Sequence, residues 1–245
     1  MNNLNILNFK IDTTLDPADF DQHQVVVNTI NPHSYCLTKS DNAFWDALQK
    51  SDVLIPDGMG IVWAAKFLTG EKIKRIPGAD LHRFLLARLN EGEGRVFYFG
   101  SSDETLKKIE ARLKREYPRV KFGGYSPPYK EEFTEQDSQI FVKTVNKFKP
   151  DVVFIGMTAP KQEKWVQINR ERIDANVIAS IGAVFDFYAG TKKRARKFYQ
   201  DIGMEWFPRF VREPRRLWKR VFISDPVFIF DVLKYKFIRG KHSSN

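Results

Sequence analysis

The chain has 245 residues, 42% hydrophobic and 29% charged, which is enough for one α/β domain with an appendage or for two small domains. A chain of this length buries a core without disulfide or metal staples, and its single cysteine, Cys36, excludes an intrachain disulfide and fits a reducing compartment. The net charge of +10 points to an anionic partner: nucleic acid, a phospholipid surface or a phosphorylated substrate.

Residues 1–10 lack a basic stretch followed by an apolar one, so no signal peptide is expected. Residues 24–30, QVVVNTI, predict a short strand of β-branched residues ending at the turn signal Asn31-Pro32. Residues 41–50 predict a helix, with Phe44, Trp45 and Leu48 at helical spacing. A second apolar strand, 53–56, stops at Asp57-Gly58, and helices are expected over 61–68 and 81–89. Residues 95–99, RVFYF, run as a strand into Gly100, a polar cap and a helix with Leu106, Ile109 and Leu113 on one face, ended by Pro118. There follow a strand at 120–123, a helix at 136–148, a strand at 151–156, a helix at 161–172, a strand at 177–181 and a loop at 186–190.

Short strands alternating with longer helices are the pattern of βαβ units. The expected fold class is therefore α/β: a doubly wound, mostly parallel sheet flanked by helices, with a basic helical C-terminal appendage. Ligands of such sheets bind beyond the carboxyl ends of the strands. Asn31, Asp57, Gly100, Gly156 and Gly182 each follow a predicted strand and so mark the expected site.

The character changes near residue 190, which divides an expected core, 1–190, from an appendage, 191–245. From 192 to 220 there are eleven basic residues against three acidic ones, Asp201, Glu205 and Glu213. Short helices are expected at 198–212, 214–223 and 227–237. Arg209, Arg212, Arg216 and Arg220 recur every three or four residues, among Trp206, Phe207, Phe210, Leu217 and Trp218. A basic amphipathic segment with tryptophans reads as one that binds an anionic membrane surface; docking on the core and binding of nucleic acid are the competing readings. The most apolar stretch, 221–238, is interrupted by Ser224, Asp225, Pro226, Asp231, Lys234 and Lys236, so contact with a membrane would be peripheral.

Asp57 is placed to act as a general base or to cap the helix expected from Ile61. Thr29 and Asn31 bring a hydroxyl and an amide to the same edge, as ligands or as turn residues. Arg75, in KRIPGAD, suits a diphosphate or a carboxylate, or else is solvated. In GMTAPKQE a strand ends at Gly156 and a helix begins near Pro160, so Lys161 and Gln162 share an anion-binding helix start. Ser101 belongs to a weaker start of the same kind. Asp186, in IGAVFDFYAG, is placed to hold a ribose hydroxyl or to cap a loop. Metal chemistry finds no HExxH and no cysteine cluster, and the Asp19-Phe20-Asp21 spacing lies away from a strand end.

Taken together, NTINP, LIPDGMGIVWAAK, RIPGAD, FYFGSS, GMTAPKQEKW, IGAVFDFYAG and EWFPRFVREPRRLWKR resemble the WecG/TagA/CpsF glycosyltransferases, glycosyltransferase family 26, over residues 24–222. The resemblance implies a doubly wound core whose C-terminal appendage completes the active site at the membrane. It implies inverting, metal-free transfer from a UDP-sugar donor to an undecaprenyl-diphosphate-linked saccharide, with no cofactor. Asp57 resembles the family's proposed base, and Thr29 and Asn31 resemble residues lining the sugar sites. Arg75 and Gln162 match further active-site positions, and the tail arginines resemble those that grip the diphosphate. A cytoplasmic enzyme, peripheral on the inner face of the plasma membrane and without a nucleic-acid partner, is expected. Two positions depart from the pattern: Arg194-Ala195-Arg196 where many members have RAP, and Thr158 where many have glycine.

Overall fold

The computed structural model describes residues 3–20, 24–193, 195–196, 198–199 and 204–242, with only the backbone at 209, 216 and 239–242. Six strands form one parallel sheet in the order β4-β3-β8-β7-β5-β6. They are β3 (Val25–Ile30), β4 (Val53–Pro56), β5 (Arg95–Gly100), β6 (Lys121–Tyr125), β7 (Val152–Gly156) and β8 (Val177–Ser180). Strands covered on both faces read as continuous apolar runs, as VVFIG and VLIP do here.

Helices cover both faces. On one side, α4 (Gly78–Gly92), α5 (Asp103–Glu116) and α8 (Val184–Ala189) bring Leu81, Leu85, Ile109, Leu113 and Phe185 against Val27, Ile55 and Phe154. On the other, α6 (Glu135–Phe148) and α7 (Lys161–Asn169) bring Phe141, Trp165 and Val166 against Val26, Val153 and Ile178. There α2 (Asn42–Gln49) and α3 (Met59–Thr69) cover the β3–β4 end with Phe44, Leu48, Ile61 and Ala64.

Two local expectations are corrected. Asn31-Pro32 does not open a turn: it starts α1 (Pro32–Thr38), with Asn31 as the cap and Pro32 in the first turn, where its missing N–H costs nothing. The 186–190 stretch is not a loop: residues 186–189 lie in α8, too short for helical periodicity to declare it, and Gly190 caps its end. Before the main sheet, β1 (Asn3–Ile6) and β2 (Phe9–Asp12) form an antiparallel hairpin, and Asp12 Oδ2 accepts Leu54 N at 2.8 Å on the edge strand β4.

The C-terminal segment is helical: α9 (Trp206–Arg212), α10 (Pro214–Lys219), a π-helical turn (Arg220–Ser224) and α11 (Asp225–His242). Phe228 and Val232 of α11 are fully buried in the cluster that holds Ile30, Ile61 and Ala64, so part of the tail docks on the core. No helix among the described residues is long and apolar enough to cross a membrane.

Candidate active site

Because all six strands are parallel, their carboxyl ends share one edge. The chain winds outward from β3 to β4 on one side and from β5 to β6 on the other, and the crevice between such halves is where ligands bind. Two backbone hydrogen bonds stitch three segments together there. Asp57 N donates to Ile30 O at 2.8 Å, and Ile76 N donates to Pro56 O at 2.8 Å. Asn31 follows Ile30, Asp57 follows Pro56, and Arg75 precedes Ile76. Three polar residues singled out in the sequence are thus gathered at one corner.

Asp57 is half-buried. The N-cap position of α3 belongs to Gly58, one residue later, at φ 141°. That conformation favours glycine, and a Cβ there would lie 3.5 Å from the Asn31 Cβ, so the chain leaves β4 close against Asn31. Asn31 Oδ1 accepts from His33 N and Ser34 N at 3.0 and 3.1 Å, while Ser34 Oγ accepts from Asn31 N. The cap uses the amide oxygen and leaves the donor nitrogen of Asn31 out of it. Thr29 sits opposite Ile55, half-exposed, near the end of β3.

Arg75 Nη1 donates to Glu205 Oε2 at 3.0 Å, and both side chains are largely withdrawn from solvent. A guanidinium has five N–H donors, so this pairing does not exhaust it. Arg220 comes close to the first turn of α1. His33 Nδ1 lies 2.9 Å from Ser224 Oγ, and burial, with the Arg220 charge second, pushes the His33 imidazole below its usual value. Arg212 is exposed, with Nη1 donating to Lys193 O at 3.3 Å. The side chains of Arg209 and Arg216, and all of Asp21 and Arg194, lie outside the described residues.

Gln162 is buried at the start of α7 beside the β8 exit, where a Cβ on Gly182 would lie 3.6 Å from its amide. Its Oε1 accepts Met157 N at 3.3 Å and its Nε2 donates to Glu163 Oε1 at 2.8 Å. The other positions read from the sequence point elsewhere. Lys161 Nζ lies 3.6 Å from the Phe133 ring centroid and donates to Lys130 O, toward the loop after β6. Asp186 Oδ2 pairs with Lys192 Nζ at 2.9 Å. Ser101, at φ 61°, accepts Ser126 Oγ at its carbonyl on the β5–β6 side. At Gly156 a Cβ would meet the Phe185 ring at 2.5 Å, so the glycine there makes room for core packing.

Two residues that the sequence reading passed over stand next to the site. Glu163 is buried beside Gln162; its Oε2 has no partner, and burial pushes its carboxyl up to about 7. Burial favours the neutral form of the carboxyl, and the hydrogen bond from the Gln162 amide opposes part of that shift. Glu205 was visible only as one of the few acids in a basic segment. A cavity of about 230 Å³ lies at the opposite, amino-terminal edge of the sheet, beside Gly94, Asp151 and Asn176, away from all of these residues. Among the described residues, no group of three or more His, Cys, Asp or Glu side chains is placed to hold a metal ion.

Known proteins are similar to this chain in sequence. The model of the glycosyl transferase WecG/TagA/CpsF family matches residues 3–242. An N-acetylglucosaminyldiphosphoundecaprenol N-acetyl-beta-D-mannosaminyltransferase of Bacillus subtilis (strain 168) is 32% identical over 209 residues, covering 85% of this chain and 79% of the relative. A protein of the same name from Staphylococcus aureus (strain MW2) is 26% identical over 221 residues, covering 89% and 84%. A family match over residues 3–242 and a relative 32% identical over most of both chains, on a parallel α/β sheet, show the family: the chain is a glycosyltransferase of the WecG/TagA/CpsF family.

Proposed function

We propose that this glycosyltransferase moves a sugar from a UDP-sugar to a polyprenyl-diphosphate-linked saccharide, with inversion and without a metal or other cofactor, in the making of a cell-surface polysaccharide or a polymer of the teichoic-acid type. The observation that carries the reading is the gathering of Asn31, Asp57 and Arg75 at the carboxyl edge by the Asp57–Ile30 and Ile76–Pro56 backbone bonds. The names of the relatives support an acceptor of N-acetylglucosaminyl-diphosphoundecaprenol type. They favour an N-acetylmannosamine-type donor over the uronic acid and glucose types.

In one displacement, the acceptor oxygen bonds the anomeric carbon as the bond from that carbon to the diphosphate oxygen breaks. The electron pair leaves with UDP, and the acceptor proton passes to the Asp57 carboxylate. A single displacement inverts the centre. Negative charge grows on the leaving diphosphate, and fixed cations stabilise it without reorganisation. Arg75 is the core's contribution, and Arg209, Arg212, Arg216 and Arg220 are the appendage's. Thr29 and Asn31 orient the sugars, and Gln162, held by Met157 N and Glu163, presents its amide at the β8 side. Gly156, Lys161, Ser101 and Asp186 would line the donor site on the side of β5, β7 and α8.

In this enzyme a transferase core, 1–190, would carry an appendage, 191–245, that completes the site and rests on anionic lipid at the inner face of the plasma membrane. Nucleic acid has no place in it. The test is acceptor-dependent release of UDP by the full chain, with a panel of UDP-sugars and a short-chain polyprenyl-diphosphate N-acetylglucosamine. Release from one donor that needs both substrates supports the proposal, and release that ignores the acceptor overturns it.

A further inference from the structure

Helix α3 starts two residues after Asp57, and one of its faces is not covered. Met59, Trp63 and Phe67 recur at intervals of four and are all exposed, Trp63 by 43%. The Trp63 and Phe67 rings stack, with centroids 5.4 Å apart and planes 8° from parallel. A large apolar residue exposed singly is ordinary, but a stripe of three along one helix marks a contact surface.

This stripe continues onto the C-terminal helix. A Cβ on Gly60 would lie 3.6 Å from Phe228, and Lys236 Nζ lies 3.3 Å from Leu68 O. The sequence offset between partners is the same at both points, so α3 and α11 run parallel, side by side. Gly60, Ala64 and Leu68 form the contact line on one helix, and Phe228, Val232 and Lys236 form it on the other. Met59, Trp63 and Phe67 each stand one residue before that line, and Ile229, Leu233 and Phe237 each stand one residue after it. At 100° per residue, these opposite rotations bring both stripes to the same side of a parallel pair. The opposite side holds Ile61 and Ala65, packed in the core. Ile229, Leu233 and Phe237 are exposed, Phe237 by 72%. The two helices therefore present one apolar face of six large side chains.

Lysines frame it. Lys66 flanks the α3 stripe, Lys234 flanks the α11 stripe, and Lys236 lies between them with Nζ 5.7 Å from the Phe67 ring centroid. The loop after α3 adds exposed Lys72 and Lys74, with Glu71 as its one acid. Long lysine stems lie along apolar surface while their ammonium groups reach a polar layer. Aromatic and aliphatic residues with lysines around them match the boundary between headgroups and acyl chains of an anionic bilayer. A second copy of this chain fits less well, because a two-fold contact would set the same lysines against themselves.

We propose that the joint face of α3 and α11, with Trp63 and Phe67 at its centre, is a docking surface for an anionic bilayer. Lipid contact then includes a core helix and not the basic tail alone, and it holds the strand end that carries Asp57 beside the membrane. The proposal rests on the reading that the acceptor is lipid-linked, but its test needs no sugar.

The full chain and its Trp63→Glu/Phe67→Glu variant are compared for flotation with vesicles of phosphatidylcholine and phosphatidylglycerol at 7:3, and with phosphatidylcholine alone. Both substituted residues are exposed, and thermal melting checks that the variant stays folded; a Trp63→Ala/Phe67→Ala pair replaces it if it does not. Ile140→Glu, on an exposed position of α6, is the control. The expected result is binding that requires phosphatidylglycerol and is weakened at least about tenfold in the double variant but not in the control. Wild-type affinity in a folded double variant overturns the proposal. Self-association in sedimentation that the double variant abolishes, with vesicle binding unchanged, also overturns it and assigns the face to a second copy. A chain that binds vesicles in this way but transfers no sugar from a UDP-sugar to the lipid-linked acceptor would leave the docking surface standing and remove the proposed donor and acceptor.

Discussion

The Arg75 guanidinium and the Glu205 carboxylate meet at 3.0 Å, 130 residues apart in the chain, with about one-seventh of each side chain exposed. The pair joins the loop beside Asp57 to the residue that precedes α9. Through it, the position of a cation proposed to face the donor depends on whether the basic segment is docked.

A largely buried ion pair is costly to break by halves, because the remaining charge loses its partner but stays out of water. Arg75→Ala and Glu205→Ala are each expected to lower unfolding stability by about 3 kcal/mol. The double variant should lose less than the sum, with a coupling energy of about 1–3 kcal/mol in a denaturation cycle. Additive losses would mean that the contact carries no energy of its own.

Burial raises the Glu163 carboxyl from the usual range to about 7, so between roughly pH 4.5 and 7 the folded chain holds a proton that the unfolded chain has released. This group therefore lowers stability as pH rises through that window, by roughly 1 kcal/mol per pH unit. Glu163→Gln keeps the shape and cannot ionise. It should flatten that part of the profile and raise stability at pH 7.5 relative to wild type, as read from denaturant midpoints across the pH range. An unchanged slope would place the ionisation elsewhere.

Gly156 leaves no space for a side chain, because a Cβ would press on the Phe185 ring at 2.5 Å. Gly156→Ala is expected to cost about 1–3 kcal/mol by overpacking, and to lower the melting temperature whether or not a UDP-sugar is present. Normal stability with weakened donor binding would instead make Gly156 a contact for substrate.

The central strands were legible because sheets buried on both faces leave uninterrupted apolar runs, such as VVFIG at β7. The β1–β2 hairpin was not, because Leu7 and Asn8 take its turn at φ 50° and 68° without the glycine that usually announces it. The start of α1 was misread although its signs were present: an asparagine cap, Pro32 behind it and Ser34 closing the capping box. At the site, Asn31 and Asp57 could be placed by their position after strand ends, whereas Arg75, in the loop between α3 and α4, could be singled out only as a guanidinium suited to a diphosphate. The Glu205 partner could not, because no spacing rule links residues so far apart. Glu163 sits among charged residues in KQEKW, so local pattern assigns it to solvent, and only the packing of α7 on the sheet buries it.

In the proposed mechanism the Asp57 carboxylate accepts the proton of the attacking hydroxyl. Asp57→Asn keeps the size of the side chain and the backbone bond from Asp57 N to Ile30 O while removing the base. The decisive measurement is acceptor-dependent UDP release by this variant beside wild type, with melting curves for both. Loss of the base is expected to lower kcat by about 10²–10⁴-fold with KM for donor nearly unchanged and the fold intact. Turnover within a few-fold of wild type in a folded Asp57→Asn protein would contradict it.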